Sequence, residues 1–145
     1  MAVRPLLFID TWGWLALEDR KDAAHARVLQ YYREFRERGG QAVTTDYVLD
    51  EALTLLFRRR PFAEAREFAE GLWAAAEGGY LVVQRIHAER FAEAWRLRLQ
   101  YQDKPDISFT DLASFAVMRE LRIAAVLSDD HHFEQVNLGF VLQPG

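Results

Sequence analysis

The sequence predicts a three-layer α/β/α sandwich around a central, mainly parallel sheet of four to five strands. Short apolar runs of strand length recur at 6–10, 41–45, 80–84, 123–127 and 139–142. Longer segments of helical periodicity separate them, which favours parallel pairing through crossover helices over hairpins. Glycine pairs at Gly39-Gly40 and Gly78-Gly79 stop two of those helices just before a strand run begins. With 145 residues and 50% hydrophobic content, such a chain buries roughly 68–70% of its unfolded surface. One domain over 1–145 is therefore expected.

Each element follows from local chemistry. "LLFID" (6–10) is an apolar run of strand length that meets an aspartate, and Asp10 can cap the helix "TWGWLALEDR" behind it. "DAAHARVLQYYREFRERGG" (22–40) is the next helix, and "QAVTT" (41–45) the second strand. Asp46 is the expected N-cap of "YVLDEALTLLFRRR" (47–60), and Pro61 stands where the helix "FAEAREFAEGLWAAAEGG" (62–79) begins. "YLVVQ" (80–84) reads as the third strand and "AERFAEAWRLRLQYQ" (88–102) as an amphipathic helix. After the polar stretch "DKPDI", the helix "SFTDLASFAVMREL" (108–121) starts on Ser108 with Asp111 three residues on, an approximate capping box. "IAAVL" (123–127) is the fourth strand and "GFVL" (139–142) a candidate fifth.

Composition excludes several classes. There is no cysteine, so disulfides and thiolate metal sites are out. No apolar run reaches the length of a membrane span, and no cleavage signal follows the N-terminal apolar stretch, so a cytoplasmic protein is expected. A net charge of −4 argues against the molecule as a whole being a nucleic-acid binder. The bases are nevertheless distinctive: only Lys21 and Lys104 are lysine, and Arg58, Arg59 and Arg60 are consecutive. That triplet suits the last turn of a helix, where it complements the dipole, and equally suits phosphate oxygens.

The carboxylates carry the functional signal. In open parallel sheets, ligands bind beyond the carboxyl ends of the strands. Asp10 stands just past the first strand, and Asp129 and Asp130 just past the fourth. Asp111 shares a helical row with Phe115 and Met118, an apolar setting in which an uncompensated carboxylate costs several kcal/mol. Asp50 and Glu51 flank the apolar stripe of their helix on opposite sides, and periodicity leaves the choice between them open. Carboxylates converging at ~4 Å repel by about 4 kcal/mol per pair at an effective dielectric of ~20, so such a cluster binds a cation or protonates. All-oxygen donors suit Mg²⁺ or Mn²⁺. His131 and His132 diverge as sequence neighbours, and no i, i+4 histidine pair exists, which disfavours zinc.

"FIDT", "TTDYVLDEALTLL", "SFTDLASFAVMREL" and "VLSDDHHF" occur in that order over nearly the whole chain. Together they resemble the PIN domain family, and within it the VapC-type ribonucleases of toxin–antitoxin pairs. The resemblance implies a PIN fold and a Mg²⁺- or Mn²⁺-dependent endoribonuclease. It places the family's acids on Asp10, Glu51, Asp111 and Asp130, the last because the segment from Ser128 to Phe133 lines up with T-x-D-x-H-F. Asp129 falls on the variable position and stays a further candidate ligand, and Ser128 replaces the usual threonine with another hydroxyl. Thr11, Ser108, Thr110 and Ser128 are candidates to orient the ligands, and Arg58, Arg59 and Arg60 to contact the RNA backbone. The carboxylates would hold one or two ions that activate water for in-line attack on phosphorus. The resemblance also implies a homodimer and a cognate antitoxin whose peptide occupies the catalytic groove. Trp12, Trp14, Tyr31 and Tyr32 are candidates for either surface, or ordinary core.

Two other readings compete. An aspartyl-phosphate enzyme would also put an aspartate after the first strand, but the D-x-D form needs an acid where Trp12 stands. A receiver-like protein needs an early acid pair and a late lysine, and neither is present. A catalytically silent PIN-fold module that binds RNA or protein is the alternative within the same fold, although retention of the acids argues against it.

Overall fold

The computed structural model describes residues 4–145. Leu7, Phe8 and Ile9 are completely buried, as a strand covered on both faces requires. They form β1 (Leu6–Ile9), flanked by β2 (Gln41–Thr45) and β4 (Ala125–Leu127), with β3 (Leu81–Gln84) and β5 (Val141–Gln143) at the edges. The order is β3-β2-β1-β4-β5 and every pairing is parallel. This is the α/β sandwich expected, with the fifth strand present.

The helices are α1 (Thr11–Glu18), α2 (His25–Glu37), α3 (Asp46–Arg59), α4 (Phe62–Glu77), α5 (Ala88–Gln100), α6 (Phe109–Leu121) and α7 (His132–Gln135). From β1 to β3 the chain steps outward in one direction; from β3 it returns across the sheet to β4. Right-handed crossovers then set α1 to α4 on one face and α5 to α7 on the other. Between β1 and β4 the direction of travel reverses, which opens a crevice at their carboxyl ends. Helix α6 is the most deeply placed, with every residue from Leu112 to Met118 buried.

Several elements depart from the sequence reading for identifiable reasons. Thr45, not Asp46, caps α3: its Oγ1 accepts the Val48 N–H at 3.1 Å. Asp46 becomes the first helical residue, and its carboxylate accepts the backbone N–H groups of Tyr47 and Ile86, tying α3 to the loop after β3. Helix α2 starts at His25 because Asp19 and Asp22 accept the backbone N–H groups of Lys21 and Ala24, which holds the preceding segment in turns. The last strand shifts toward the C-terminus because Phe140 leaves the ladder for the core, where its ring packs on Phe115 and Phe133. Trp14 is ordinary core, the reading that helical spacing favours for these aromatics: it is buried, and its Nε1–H donates to Thr44 Oγ1. Tyr31, Tyr32 and Trp12 also pack against the core, half-buried. Among the described residues, no helix is long and apolar enough to cross a membrane.

Helix α1 lies hard against the end of β4. A Cβ on Gly13 would sit 2.5 Å from the Leu127 carbonyl oxygen and 2.9 Å from Ile9 Cγ2, closer than real Cβ contacts allow. Gly13→Ala is expected to destabilise the protein by about 1–3 kcal/mol, the usual range for overpacking, read as a lower urea midpoint with an unchanged slope.

Candidate metal centre

The site begins in the register of the two central strands. Ile9 pairs with Leu127, so the next residues, Asp10 and Ser128, leave the sheet side by side. The Ser128 hydroxyl donates to Asp10 Oδ2, and Ser128 Oγ accepts the Asp130 N–H at 3.0 Å. Asp10 Oδ1 accepts the Gly13 N–H at 2.8 Å. Asp10 is therefore the N-cap of α1 and a wall of the cleft at once, two roles that its sequence position left as alternatives. Thr44 braces the same corner by donating to the Ile9 carbonyl while accepting from Trp14.

The opposite wall is the start of α6. Ser108 Oγ accepts the Asp111 N–H at 3.0 Å, which fixes the first turn and aims the half-buried Asp111 carboxylate at the crevice. Asp130 Oδ1 accepts the His132 N–H at 2.9 Å, starting the short α7. This turn brings the His132 ring inward: Nδ1 lies 3.3 Å from Asp130 Oδ1 and 3.6 Å from Asp111 Oδ2. One donor atom from each of Asp111, Asp130 and His132 lies within 4.8 Å of the others. Glu51, exposed on α3, faces the same open cleft of about 580 Å³, whose apolar side is Trp12, Leu15 and Val48.

The electrostatics are those of carboxylates gathered in a partly buried crevice. Burial pushes the Asp10 carboxyl up to about 7, against the Ser128 and Gly13 hydrogen bonds, with smaller contributions from the Asp111 and Asp130 charges. Burial, then the Asp130 charge, raises Asp111 to about 6, opposed by His132 and reinforced by Glu51. No lysine or arginine lines the cleft among the described residues. The His132 Nδ1 atom is buried without a hydrogen-bond partner. Oxygen donors that repel one another and an orphaned imidazole nitrogen suit a divalent cation.

The remaining sequence candidates divide. Asp10, Glu51 and Asp129 line the cleft outside the close Asp111–Asp130–His132 group, Asp129 exposed at its mouth. Thr11 and Ser108 line the cleft. Thr110 does not; its carbonyl accepts the Ser114 hydroxyl within α6. Asp50 turns toward a separate groove beside Trp73 and Leu81. Arg60 is committed elsewhere, bonded to Glu18 at 2.9 Å, with Asp19 and Glu64 nearby. Arg58 and Arg59 are exposed. Sequence reasoning missed His132 as part of the cluster. Its divergence from His131 was legible, but not which of the two would point inward: His131 bonds Glu134 at the surface.

A family model, the PIN domain, matches residues 7–138. The chain belongs to the PIN domain family. It is 31% identical over 136 residues to the 23S rRNA-specific endonuclease VapC20 of Mycobacterium tuberculosis, covering 94% of this chain and 96% of that protein. The crystal structure of VapC20, described as a sarcin–ricin loop cleaving toxin, superposes with a TM-score of 0.76 at 29% identity, over 93% of this PIN domain chain and 96% of the other. The VapBC2 structure from Rickettsia felis, bound to a DNA fragment from its promoter, shares the fold at 11% identity, with a TM-score of 0.67 over 95% and 97% of the two chains.

Asp10 makes the metal-free PIN domain sensitive to pH. Its folded pKa lies above the ordinary carboxylate value, so the folded state binds the proton more tightly than the unfolded chain does. Stability should therefore fall as pH rises from about 4 to about 7, by at most on the order of 3 kcal/mol for this group. Asp10→Asn should raise the Tm of metal-free protein most at about pH 8 and progressively less toward pH 5, in thermal melts with chelator present.

Proposed function

We propose that this PIN domain is a metal-dependent endoribonuclease, the toxin of a VapBC-type pair, acting on a structured ribosomal RNA loop. The observation that carries the reading is the convergence of Asp10, Asp111 and Asp130 at one crevice. Likeness over nearly the full length to a relative named for cleaving 23S rRNA supports it. Asp10, Glu51, Asp111 and Asp130 are assigned as the acids that hold Mg²⁺ or Mn²⁺, with Asp129 at the mouth as a further oxygen donor. Held by these acids, a divalent ion would lower the pKa of a bound water so that hydroxide is available near neutral pH, and would offset charge on the phosphate.

The chain's own residues do the positioning. Ser128 fixes the Asp10 carboxylate and the Asp130 backbone together, so a single hydroxyl sets the spacing of two acids. Ser108 orients Asp111 through the helix start, and Thr11 stands beside the cleft as a further polar contact. Arg58 lies seven residues after Glu51 on α3, nearly the same helical face and about 10 Å along the axis. An RNA strand crossing the cleft would meet it, with Arg59 beside it. Arg60 leaves the list because of its ion pair with Glu18.

The partners follow the same reading. A cognate antitoxin would silence the enzyme by occupying the cleft. The single domain over 1–145 would pair with a second copy, for which α5 offers Phe91, Trp95 and Leu99 at i, i+4 and i+8, each about half exposed.

The decisive assay is cleavage of a 23S rRNA sarcin–ricin hairpin with Mg²⁺ or Mn²⁺, with and without chelator. Cleavage should require metal and disappear in Asp10→Asn and Asp111→Asn. Metal-dependent binding of the hairpin without cleavage would instead favour the silent-module reading. Ser128→Ala should lower metal affinity or activity about ten- to a hundredfold, as loss of a ligand's outer partner does. Arg58→Ala should weaken RNA binding and reduce the log–log salt slope by roughly 0.7–0.9, whereas Arg60→Ala should lower thermal stability and leave that slope unchanged.

A further inference from the structure

We infer that His132 Nδ1 is a direct nitrogen ligand of the ion in this cleft, which makes the centre a mixed carboxylate–imidazole site and tilts it from Mg²⁺ toward Mn²⁺. The inference rests on the reading that the cleft holds a divalent ion, and goes beyond it in naming the donor and the selectivity that follows.

Three observations meet at this nitrogen. It is buried and makes no well-formed hydrogen bond, only the loose approach of two carboxylates, a poorer setting for a buried polar atom than a close partner would give. It stands 3.3 Å from Asp130 Oδ1 and 3.6 Å from Asp111 Oδ2. Donors ~2.1 Å from one ion and at about a right angle lie ~3 Å apart, so the nitrogen is spaced as a neighbouring ligand would be. Its position is also set by the backbone. The Asp130 carboxylate accepts the His132 N–H, and Phe133, completely buried, anchors the next residue. The ring is thus delivered to the cluster by the turn that shapes Asp130.

The chemical consequence is selectivity. Mg²⁺ prefers oxygen donors and keeps its waters, whereas imidazole favours first-row transition ions. One nitrogen among carboxylates therefore stabilises Mn²⁺ more than Mg²⁺. His131 has no such role, since it lies at the surface on Glu134.

Pulsed electron paramagnetic resonance of the full chain loaded with Mn²⁺ alone tests this without any assay of activity. Wild type should show modulation from a directly bound ¹⁴N, replaced by the ¹⁵N pattern when histidine is isotopically labelled. His131→Gln should keep the signal and His132→Gln should lose it. Calorimetry should find Mn²⁺ affinity lower by about ten- to a hundredfold in His132→Gln, at least the loss caused by removing an outer partner, with a smaller loss for Mg²⁺. Mn²⁺ bound at the cleft without nitrogen coupling in wild type, or with coupling that survives His132→Gln, overturns the inference and leaves the nuclease reading intact. Mn²⁺ uptake that is equally weak in wild type and Asp111→Asn sinks both.

Discussion

Like charges are gathered where a parallel sheet changes direction, and the rest of the molecule is arranged to hold them there. β1 and β4 are neighbours that the chain reaches at opposite ends of its length, and their last residues stand in register. That register sets Asp10 beside Ser128, and the hydroxyl between them links the Asp10 carboxylate to the backbone of Asp130. Helix α6, buried along most of its length, brings Asp111 to the same crevice from the other face. Folding therefore concentrates negative charge in a partly desolvated place, and burial is the first cause of the raised pKa at both Asp10 and Asp111. A scaffold that fixes mutually repelling carboxylates in one place does so at some cost to its own stability.

Economy of residues makes this workable. Asp10 caps α1 while facing the cleft, so part of the expense of burying its charge is offset by a hydrogen bond from the helix start. Ser108 performs the same service one step removed, capping α6 and thereby aiming Asp111. In both places the helix N-terminus supplies backbone donors and the positive end of a dipole. The cluster consequently has local compensation that surface carboxylates lack, yet no lysine or arginine from the described residues enters the cleft to neutralise it. The arginine-rich end of α3 stays outside, partly exposed and partly tied to Glu18. Such a separation keeps the cleft acidic and the free basic groups outside it.

Much of this is legible in the sequence. Strand-length apolar runs between helical segments mark all five strands: the central β1 is buried on both faces and leaves an uninterrupted apolar signature, while the edge strands β3 and β5 are only partly buried. The cap of α3 was misplaced by one residue because Thr45 and Asp46 are both good caps, and only the demand of Ile86 for an acceptor engaged Asp46 elsewhere. Arg60 looked like its neighbours Arg58 and Arg59, since a run of identical residues carries no record of which one meets a carboxylate distant in sequence.

The sequence by itself determined most of the elements and the sheet type and narrowed the candidate acids to a few positions, because those depend on local periodicity and on a conspicuous order of residue types. It left open whether Asp10 caps or lines a cleft, which of Asp50 and Glu51 faces the cluster, and whether either histidine belongs. Tertiary structure decided these, for a physical reason common to all. Each depends on the rotation of a side chain about its own element relative to a partner far away in the chain, and strand register and helix packing, rather than nearest neighbours, fix that rotation.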